Sequence, residues 1–131
     1  MTIQALEPQD RRVFKVKVAG ACALLVAKAH KLHDRIDSGR TDRLDDKDAA
    51  DVVRLMQTAN AHDVATTLRA LASDPVAGRP TSDALLYVGQ LFGRRGGQGI
   101  EMAAHALRTA MPADRVQALC LAFVAALTDR P

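Results

Sequence analysis

The chain has 131 residues, a length that fits one domain with a single hydrophobic core. Hydrophobic residues make up 48% of it and aromatic residues only 3%, so aliphatic side chains must fill the core, which favours packed helices over a β-sandwich. The formal net charge of +3 comes from interspersed basic and acidic residues, so nucleic-acid contact is allowed but no clustered phosphate-binding face is indicated.

The cysteine and hydropathy patterns favour a reducing location without a membrane span. Cys22 and Cys120 lie far apart, each inside an apolar helical pattern, which argues against a disulfide framework. No apolar run reaches the roughly 18 residues of a membrane span, and the start MTIQALEPQDRR lacks the residue order of a signal peptide. We therefore expect a cytoplasmic protein with no membrane partner.

The first predicted element is a strand. The segment RRVFKVKV places Phe14, Val16 and Val18 on one face and two lysines on the other. Because this period of two is typical of a half-buried strand, we predict one short N-terminal β-strand over about 12–18. The apolar spacing then changes to three and four residues, which predicts a helix over about 19–37.

Five further helices are predicted in the rest of the chain. Each is an apolar stripe at helical spacing, bounded by capping residues, Gly or Pro. We expect Asp45 or Asp46 to cap the second helix, and Thr81 or Ser82 to open the fourth. The prediction is an all-α bundle of about six helices in one domain covering 1–131, with helices at about 19–37, 45–59, 61–73, 81–92, 100–110 and 113–128.

Charged residues at helical spacing mark one surface of the first two helices. Lys28, Lys31 and Arg35 project from one side of the first helix, because they are offset by one and two turns. Asp48 and Asp51 share a face of the next helix, and a short linker favours antiparallel packing of the two. Two interpretations stay open: a partly buried ion pair between the helices, or a Lys and an Asp that handle phosphate and a metal ion or proton.

The segment LLVAKAHKLHDR followed by KDAADVVRL resembles the C-terminal helical half of abortive-infection (AbiEii-like) nucleotidyltransferases. Lys28 and Arg35 match a family motif of Lys with Arg seven residues later, and Lys47, Asp48 and Asp51 match a box of a basic residue, Asp, two residues and Asp. The resemblance implies that Lys28 and Arg35 bind phosphate. It also implies that Asp48 has the catalytic acidic role, supported by Lys47 and Asp51.

The resemblance covers roughly residues 16–56. It leaves out the other half of the family's proteins, which carries the metal ions. That half has a Gly-Ser turn and an Asp-x-Asp pair on a strand, a combination that this chain does not contain. No cofactor is evident for the chain itself, and Mg²⁺, NTP and tRNA are expected only together with a separate catalytic lobe. We hypothesise a helical domain related to a toxin nucleotidyltransferase, inactive alone, that acts with a separate catalytic or antitoxin protein.

Two alternatives come from other functional classes. A non-catalytic interaction module would form a homodimer through the last helix, which is apolar nearly all round, or through the unpaired edge of the N-terminal strand. DNA binding is the third hypothesis, although no helix-turn-helix spacing stands out and the basic residues are dispersed.

A pair of histidines forms a weaker pattern. His30 and His33 lie one turn apart and would bind a metal only with a third ligand such as Asp34 or Asp37. Because the pattern fixes neither that ligand nor its supporting hydrogen bonds, we expect no metal site.

The Gly-rich stretch GRRGGQG at 93–99 is the last candidate. It lacks the Lys-Ser/Thr of a P-loop and no strand precedes it, so it predicts a flexible turn between helices. Arg94 and Arg95 are candidate anion contacts in that turn.

Overall fold

The computed structural model describes residues 8–39 and 42–129, and within them the chain forms six α-helices and no β-strand. This confirms the helical bundle that the aliphatic composition predicts. None of the described helices combines the length and the hydropathy of a membrane-spanning segment. The helices are α1 (Pro8–Asp37), α2 (Arg43–Thr58), α3 (Ala61–Ala72), α4 (Gly78–Phe92), α5 (Gln98–Ala106) and α6 (Ala113–Thr128).

The prediction of an N-terminal strand at 12–18 is wrong, because α1 begins at Pro8 and runs through the segment without a break. In a helix the alternating pattern spreads apolar residues around the axis, and Val13, Phe14 and Val16 are 54%, 46% and 70% exposed. No second strand is present among the described residues to pair with an extended backbone. Lengthening an existing helix instead satisfies one backbone hydrogen bond for each residue added.

Polar side chains fix the starts of α2 and α3. Asp42 Oδ1 accepts a hydrogen bond from the Asp45 amide at 3.3 Å, and Asp45 Oδ2 accepts one from the Asp42 amide at 2.9 Å, which is the reciprocal arrangement of a capping box. The cap of α2 is therefore Asp42 rather than Asp45 or Asp46. Asn60 caps α3, since its side chain accepts a hydrogen bond from the Asp63 amide at 3.1 Å.

Helix α4 begins at Gly78, three residues before Thr81 and four before Ser82, the two residues predicted to open it. A Gly-Arg-Pro sequence normally indicates a break. Pro80, however, lies in the first turn of α4, where a helix has no use for the amide hydrogen that proline lacks. Thr81 is buried inside the helix rather than capping it.

The other helices lie close to their predicted positions. Helix α6 has the bounds predicted for it, α3 ends one residue early, and α2 starts two residues early. Helix α5 starts two residues early and ends at Ala106, because residues 107–110 form turns rather than a continuation of the helix.

One hydrophobic core joins the six helices. Helix α1 packs against α2, α3 and α4, and α2 packs most extensively against α5. Phe92, at the end of α4, is completely buried. Helix α6 packs against α2, α3, α4 and α5, so the last helix lies within the bundle, in keeping with its nearly all-round apolar pattern. It buries Val116, Cys120, Phe123, Val124 and Leu127.

Candidate functional site

Seven charged side chains connect the C-terminal half of α1 to the start of α2. We term them the α1–α2 ion cluster. Three cations come from one face of α1, and the four aspartates lie in α2 or immediately before it. The two helices are antiparallel here, since cations later in α1 pair with aspartates earlier in the α2 region. The members are Lys28, Lys31, Arg35, Asp42, Asp45, Asp48 and Asp51.

Asp48 lies at the centre of the cluster, with its side chain only 8% exposed. Its Oδ1 accepts a hydrogen bond from Lys28 Nζ, and its Oδ2 lies 2.7 Å from Lys31 Nζ. Lys28 Nζ also lies 3.2 Å from Oδ2 of Asp51, whose other carboxylate oxygen is 3.4 Å from Arg54. Each oxygen of the buried carboxylate therefore has a cation beside it.

The electrostatics of the cluster favour the charged forms. Burial by itself raises the pKa of Asp48, but hydrogen bonds from Lys28 and Lys31, together with their charges, outweigh burial and hold that pKa below its ordinary value of 3.8. The hydrogen bond to Asp48 raises the pKa of Lys28 above 10.5, against the opposing effect of burial. A carboxylate held ionised in this way is a weak general base, because a general base works best with a pKa near the working pH.

Arg35 joins the cluster to the capping box of α2. Its Nε lies 3.3 Å from Asp45 Oδ2, and a terminal guanidinium nitrogen lies 3.5 Å from Asp42 Oδ2. The side chain of Asp45 is 2% exposed, and a carboxylate buried to that extent needs a cation nearby. Arg35 therefore supports the start of α2, a structural contact that its spacing from Lys28 does not reveal.

The structure brings together most of the residues that the resemblance singles out. Lys28, Asp48 and Asp51 are in direct contact, and Arg35 follows on the same side of α1. Lys47 is exposed and has no ion-pair partner among the described residues.

An Asp-x-Asp sequence does occur at 46–48, but it lies on helix α2. Side chains two residues apart on a helix point in different directions. Asp48 faces α1, whereas Asp46 lies 3.2 Å from His105 Nδ1 of α5. These two carboxylates therefore do not converge as a pair of metal ligands would.

Asp42 and Asp45 are the cluster members that spacing along the predicted second helix does not identify. A signal for them exists in the stretch TDRLDD, since a capping residue followed three residues later by an acidic one marks a helix start. Arg54 does carry a signal, since it follows Asp51 by three residues on the same helix. His105 carries none, because it meets Asp46 only through the packing of α5 on α2.

The cluster is close to electrically neutral, which limits its chemistry. Its three cations face four aspartates, and Arg54 adds a fourth cation beside Asp51. A phosphate group would have to displace a carboxylate from Lys28 or Lys31 before it could bind there. The geometry thus fits an ion pair between packed helices.

His30 and His33 both contact Tyr87 of α4 rather than an acidic neighbour. The rings of His33 and Tyr87 stack with centroids 3.7 Å apart, and His30 meets the same ring edge-on at 5.3 Å. His30 Nε2 also lies 2.8 Å from the carbonyl oxygen of Pro80. In the described parts of the chain, no group of three or more His, Cys, Asp or Glu side chains is placed to hold a metal ion.

The Gly-rich turn between α4 and α5 borders an open cleft of about 410 Å³ beside the end of α1. Gly96 has φ +69°, a conformation that favours glycine, and its amide donates to Gln117 Oε1 at 2.9 Å. Arg94 and Arg95 line the cleft, but so does the carboxylate of Asp37, which opposes binding of an anion.

A second surface lies on α1, on the side away from its core-facing residues, and the prediction of a strand at 12–18 assigns its first two residues to a different element. We term it the outer face of α1. Its larger members are 54%, 70% and 43% exposed, and its glycine and alanine members are exposed as well. The face comprises Val13, Val16, Gly20, Ala23, Leu24 and Ala27.

Phe14 lies beside the outer face, on the side of α1 that approaches α3. Two open clefts of about 510 and 480 Å³ flank it, and Val18 and Asp63 line both. The N-terminal half of α1 is therefore only loosely covered by the rest of the bundle.

Comparisons of this chain with protein-family models, with curated proteins and with solved structures find no match. A proposal of function therefore depends on the residues and geometry of the chain itself.

Proposed function

We propose that this chain is a non-catalytic helical interaction domain that binds another polypeptide through the outer face of α1. The observation that carries the proposal is the exposure of Val13, Val16 and Leu24 along one side of a helix whose other side packs in the core. Single exposed apolar residues are common on protein surfaces. With the exposed small residues Gly20, Ala23 and Ala27 between and after them, these three side chains form a row at three- and four-residue spacing, which is typical of a helix that packs against a second helix.

The state of the α1–α2 ion cluster supports a role without catalysis. In the chain by itself, Lys28 and Asp48 are paired with each other, so without a separate catalytic lobe neither is placed to hold a nucleotide or to move a proton. The proposal also includes a reducing, cytoplasmic location, where Cys22 and Cys120 are thiols; both are free and buried.

Thiol labelling at the outer face tests the proposal. Val16→Cys introduces one exposed thiol, because the native cysteines are 0% exposed. In cells that express the protein from its own gene, we expect this thiol to react with a permeable alkylating reagent at least tenfold more slowly than in the dilute purified protein. Val76→Cys is the matched control, since Val76 is 87% exposed in the turn before α4. Equal reaction at both positions in cells would overturn the proposal.

A second candidate is the helical half of a nucleotidyltransferase related to abortive-infection toxins. The contact between Lys28 and Asp48 supports it, because those two residues match separate motifs in the resemblance and the fold places them side by side. The candidate assigns catalysis to a separate lobe that would carry Mg²⁺ and NTP, with tRNA as substrate. We expect the purified chain with labelled NTP, Mg²⁺ and tRNA to transfer no label. Robust transfer that Lys28→Met abolishes would contradict both this expectation and the non-catalytic role.

A further inference from the structure

We infer that the N-terminal arm of α1, residues 8–19, bends at Gly20 toward α3 and closes the two clefts beside Phe14. The inference goes beyond the proposed function, because it concerns a movement within the chain rather than a partner. Three features carry it: the space left between the arm and α3, the charges that line this space without pairing, and the place of one glycine in α1.

The space between the arm and α3 has apolar walls. Its two clefts measure about 510 and 480 Å³, and Phe14 and Val18 line both. Ala21 and Val64 add further aliphatic surface to the second cleft. The side chain of Phe14 is nevertheless 46% exposed. Because removal of apolar surface from water is favourable, approach of the arm to α3 is favoured by the area that it buries.

The side of the arm that faces α3 is continuous with the side that anchors α1 in the bundle. Phe14, Val18 and Ala21 share this side, because they follow one another at intervals of four and three residues. The thiol of Cys22 donates a hydrogen bond to the carbonyl oxygen of Val64 in α3, with 3.7 Å between sulfur and oxygen. In the described part of α1, Cys22 is the first residue that is completely buried. The helix is therefore anchored from Cys22 onward, whereas the arm before it is not.

One carboxylate shares the clefts with two ammonium groups. Lys15 lines the first cleft, Lys17 lines the second, and Asp63 of α3 lines both. None of these three side chains has an ion pair within the described ranges. Because the attraction between opposite charges grows as their distance shortens, it draws the arm toward Asp63. Both lysines are exposed, so the attraction is modest; it sets the direction of the bend, and apolar burial supplies most of the gain.

Gly20 lies at the base of the arm, on the side of α1 away from α3. A Cβ atom added to Gly20 would meet nothing within 4 Å, so the packing of the bundle does not require a glycine there. Long helices bend with their convex side toward solvent, where backbone carbonyls tilt outward and their hydrogen bonds lengthen. A residue without a side chain leaves these carbonyls open to water and adds backbone freedom. Gly20 is therefore the position at which α1 bends most readily toward α3.

A small bend is sufficient to close the clefts. Phe14 precedes Gly20 by six residues, which places it about 9 Å from Gly20 along the helix axis. A bend of about 20°, the size at which a helix counts as kinked, moves Phe14 toward α3 by about 3 Å. That displacement equals the diameter of a water molecule. Both clefts open to the surface, so their water leaves without crossing the core.

Fluorescence quenching tests the closure. The chain contains no tryptophan, so Phe14→Trp and Val16→Trp each place a single reporter on the arm. Phe14 faces α3, whereas Val16 belongs to the outer face. We expect acrylamide to quench Phe14→Trp at least threefold more slowly than Val16→Trp in the dilute purified chain. The exposures of the open arm, 46% and 70%, predict a ratio below two, and such a ratio overturns the closure.

Two further substitutions, each made in the Phe14→Trp chain, test the hinge and the charges. We expect Gly20→Ala and Asp63→Asn each to raise the quenching rate at least twofold, since the first stiffens the helix and the second removes the attraction for the two lysines. Gly89→Ala is the matched control, because its added Cβ also meets nothing within 4 Å but lies in α4. Quenching as slow as in the control overturns the role of the residue concerned. Far-ultraviolet circular dichroism checks that each variant retains its helices.

Discussion

Asp48 has a nearly buried carboxylate. Its removal leaves the neighbouring cations without this partner, which destabilises the folded state. We expect Asp48→Ala to lower the free energy of unfolding by about 2 kcal/mol, below the 3–5 kcal/mol typical of a fully buried pair, because Lys28 and Lys31 retain partial access to water. Urea denaturation measures the change. Lys47→Ala, at the preceding exposed position, is the control and should change stability by less than about 0.5 kcal/mol. Equal effects of the two substitutions would mean that the cluster contributes nothing to folding.

The same carboxylate makes stability depend on pH in a defined direction. The pKa of Asp48 is lowered from 3.8 in the folded chain, so its contribution is present above pH about 3.8 and is lost as the pH falls through the lower folded value. The pKa of Lys28 is raised from 10.5, so its contribution is present below that pH and is lost as the pH rises through the higher folded value.

A comparison of the wild-type chain with Asp48→Asn tests this dependence. The difference in their free energies of unfolding should be constant between about pH 5 and 8 and should shrink below about pH 3.8. The pKa of Asp74 is also lowered, by hydrogen bonds from the amides of Ala77 and Val76, but both proteins contain Asp74 and the comparison cancels it. A difference that persists unchanged at pH 2 would contradict the assigned ionisation.

The spacing of charged residues in the sequence predicts the contacts at the centre of the α1–α2 ion cluster but not the contacts at its edges. The offsets among Lys28, Asp48 and Asp51 are sufficient to predict an ion pair between antiparallel helices, because they depend only on helical periodicity and a short linker. The contacts of Arg35 with Asp42 and Asp45 depend on the conformation of the linker and on a capping box. Periodicity carries no information on either.

At the scale of the helices, the turn between α4 and α5 depends on close backbone approaches. A Cβ atom added to Gly97 would lie 2.5 Å from the carbonyl oxygen of Leu91, so we expect Gly97→Ala to destabilise the fold by about 1–3 kcal/mol. Gly89 in α4 is the matched control, because its added Cβ would meet nothing within 4 Å. Gly89→Ala should stabilise the fold by about 0.5–1 kcal/mol, since alanine favours a helix interior. Thermal unfolding measures both, and shifts of the same sign would contradict the geometry.

The helices whose bounds the sequence predicts well are those in which the apolar pattern and the residues at the helix ends indicate the same bounds. Helix α6 starts after Pro112 and has its predicted bounds, because a proline start and a continuous apolar pattern both indicate them. The start of α1 is predicted wrongly, since its N-terminal half lies outside the core and its apolar residues follow no core-facing period. An alternating pattern indicates a strand only where one face must be buried. That requirement is missing here, so the alternation of Phe14, Val16 and Val18 with lysines does not indicate a strand.

At the scale of the whole molecule, the two native thiols report how the bundle opens. Cys22 in α1 and Cys120 in α6 are both completely buried. Burial raises the pKa of the Cys22 thiol and raises that of Cys120 to about 12, and only the thiolate is reactive. We expect both thiols to be alkylated at one common rate, equal to the rate of global unfolding, when mass spectrometry follows labelling in mild denaturant. Earlier labelling of Cys22 would show that α1 detaches from the bundle before the rest unfolds.

The α1–α2 ion cluster also disfavours an alternative alignment of α1 along α2. Most buried residues of the core are aliphatic, and Leu, Val and Ala side chains pack with little distinction between one alignment of two helices and another displaced by a turn. Moving α1 by one turn in the direction that takes Arg35 from Asp45 toward Asp48 would leave the buried carboxylate of Asp45 without a cation. The charged pairs therefore oppose that displacement of the first helical hairpin, a contribution to conformational uniqueness that a measurement of stability alone would underestimate.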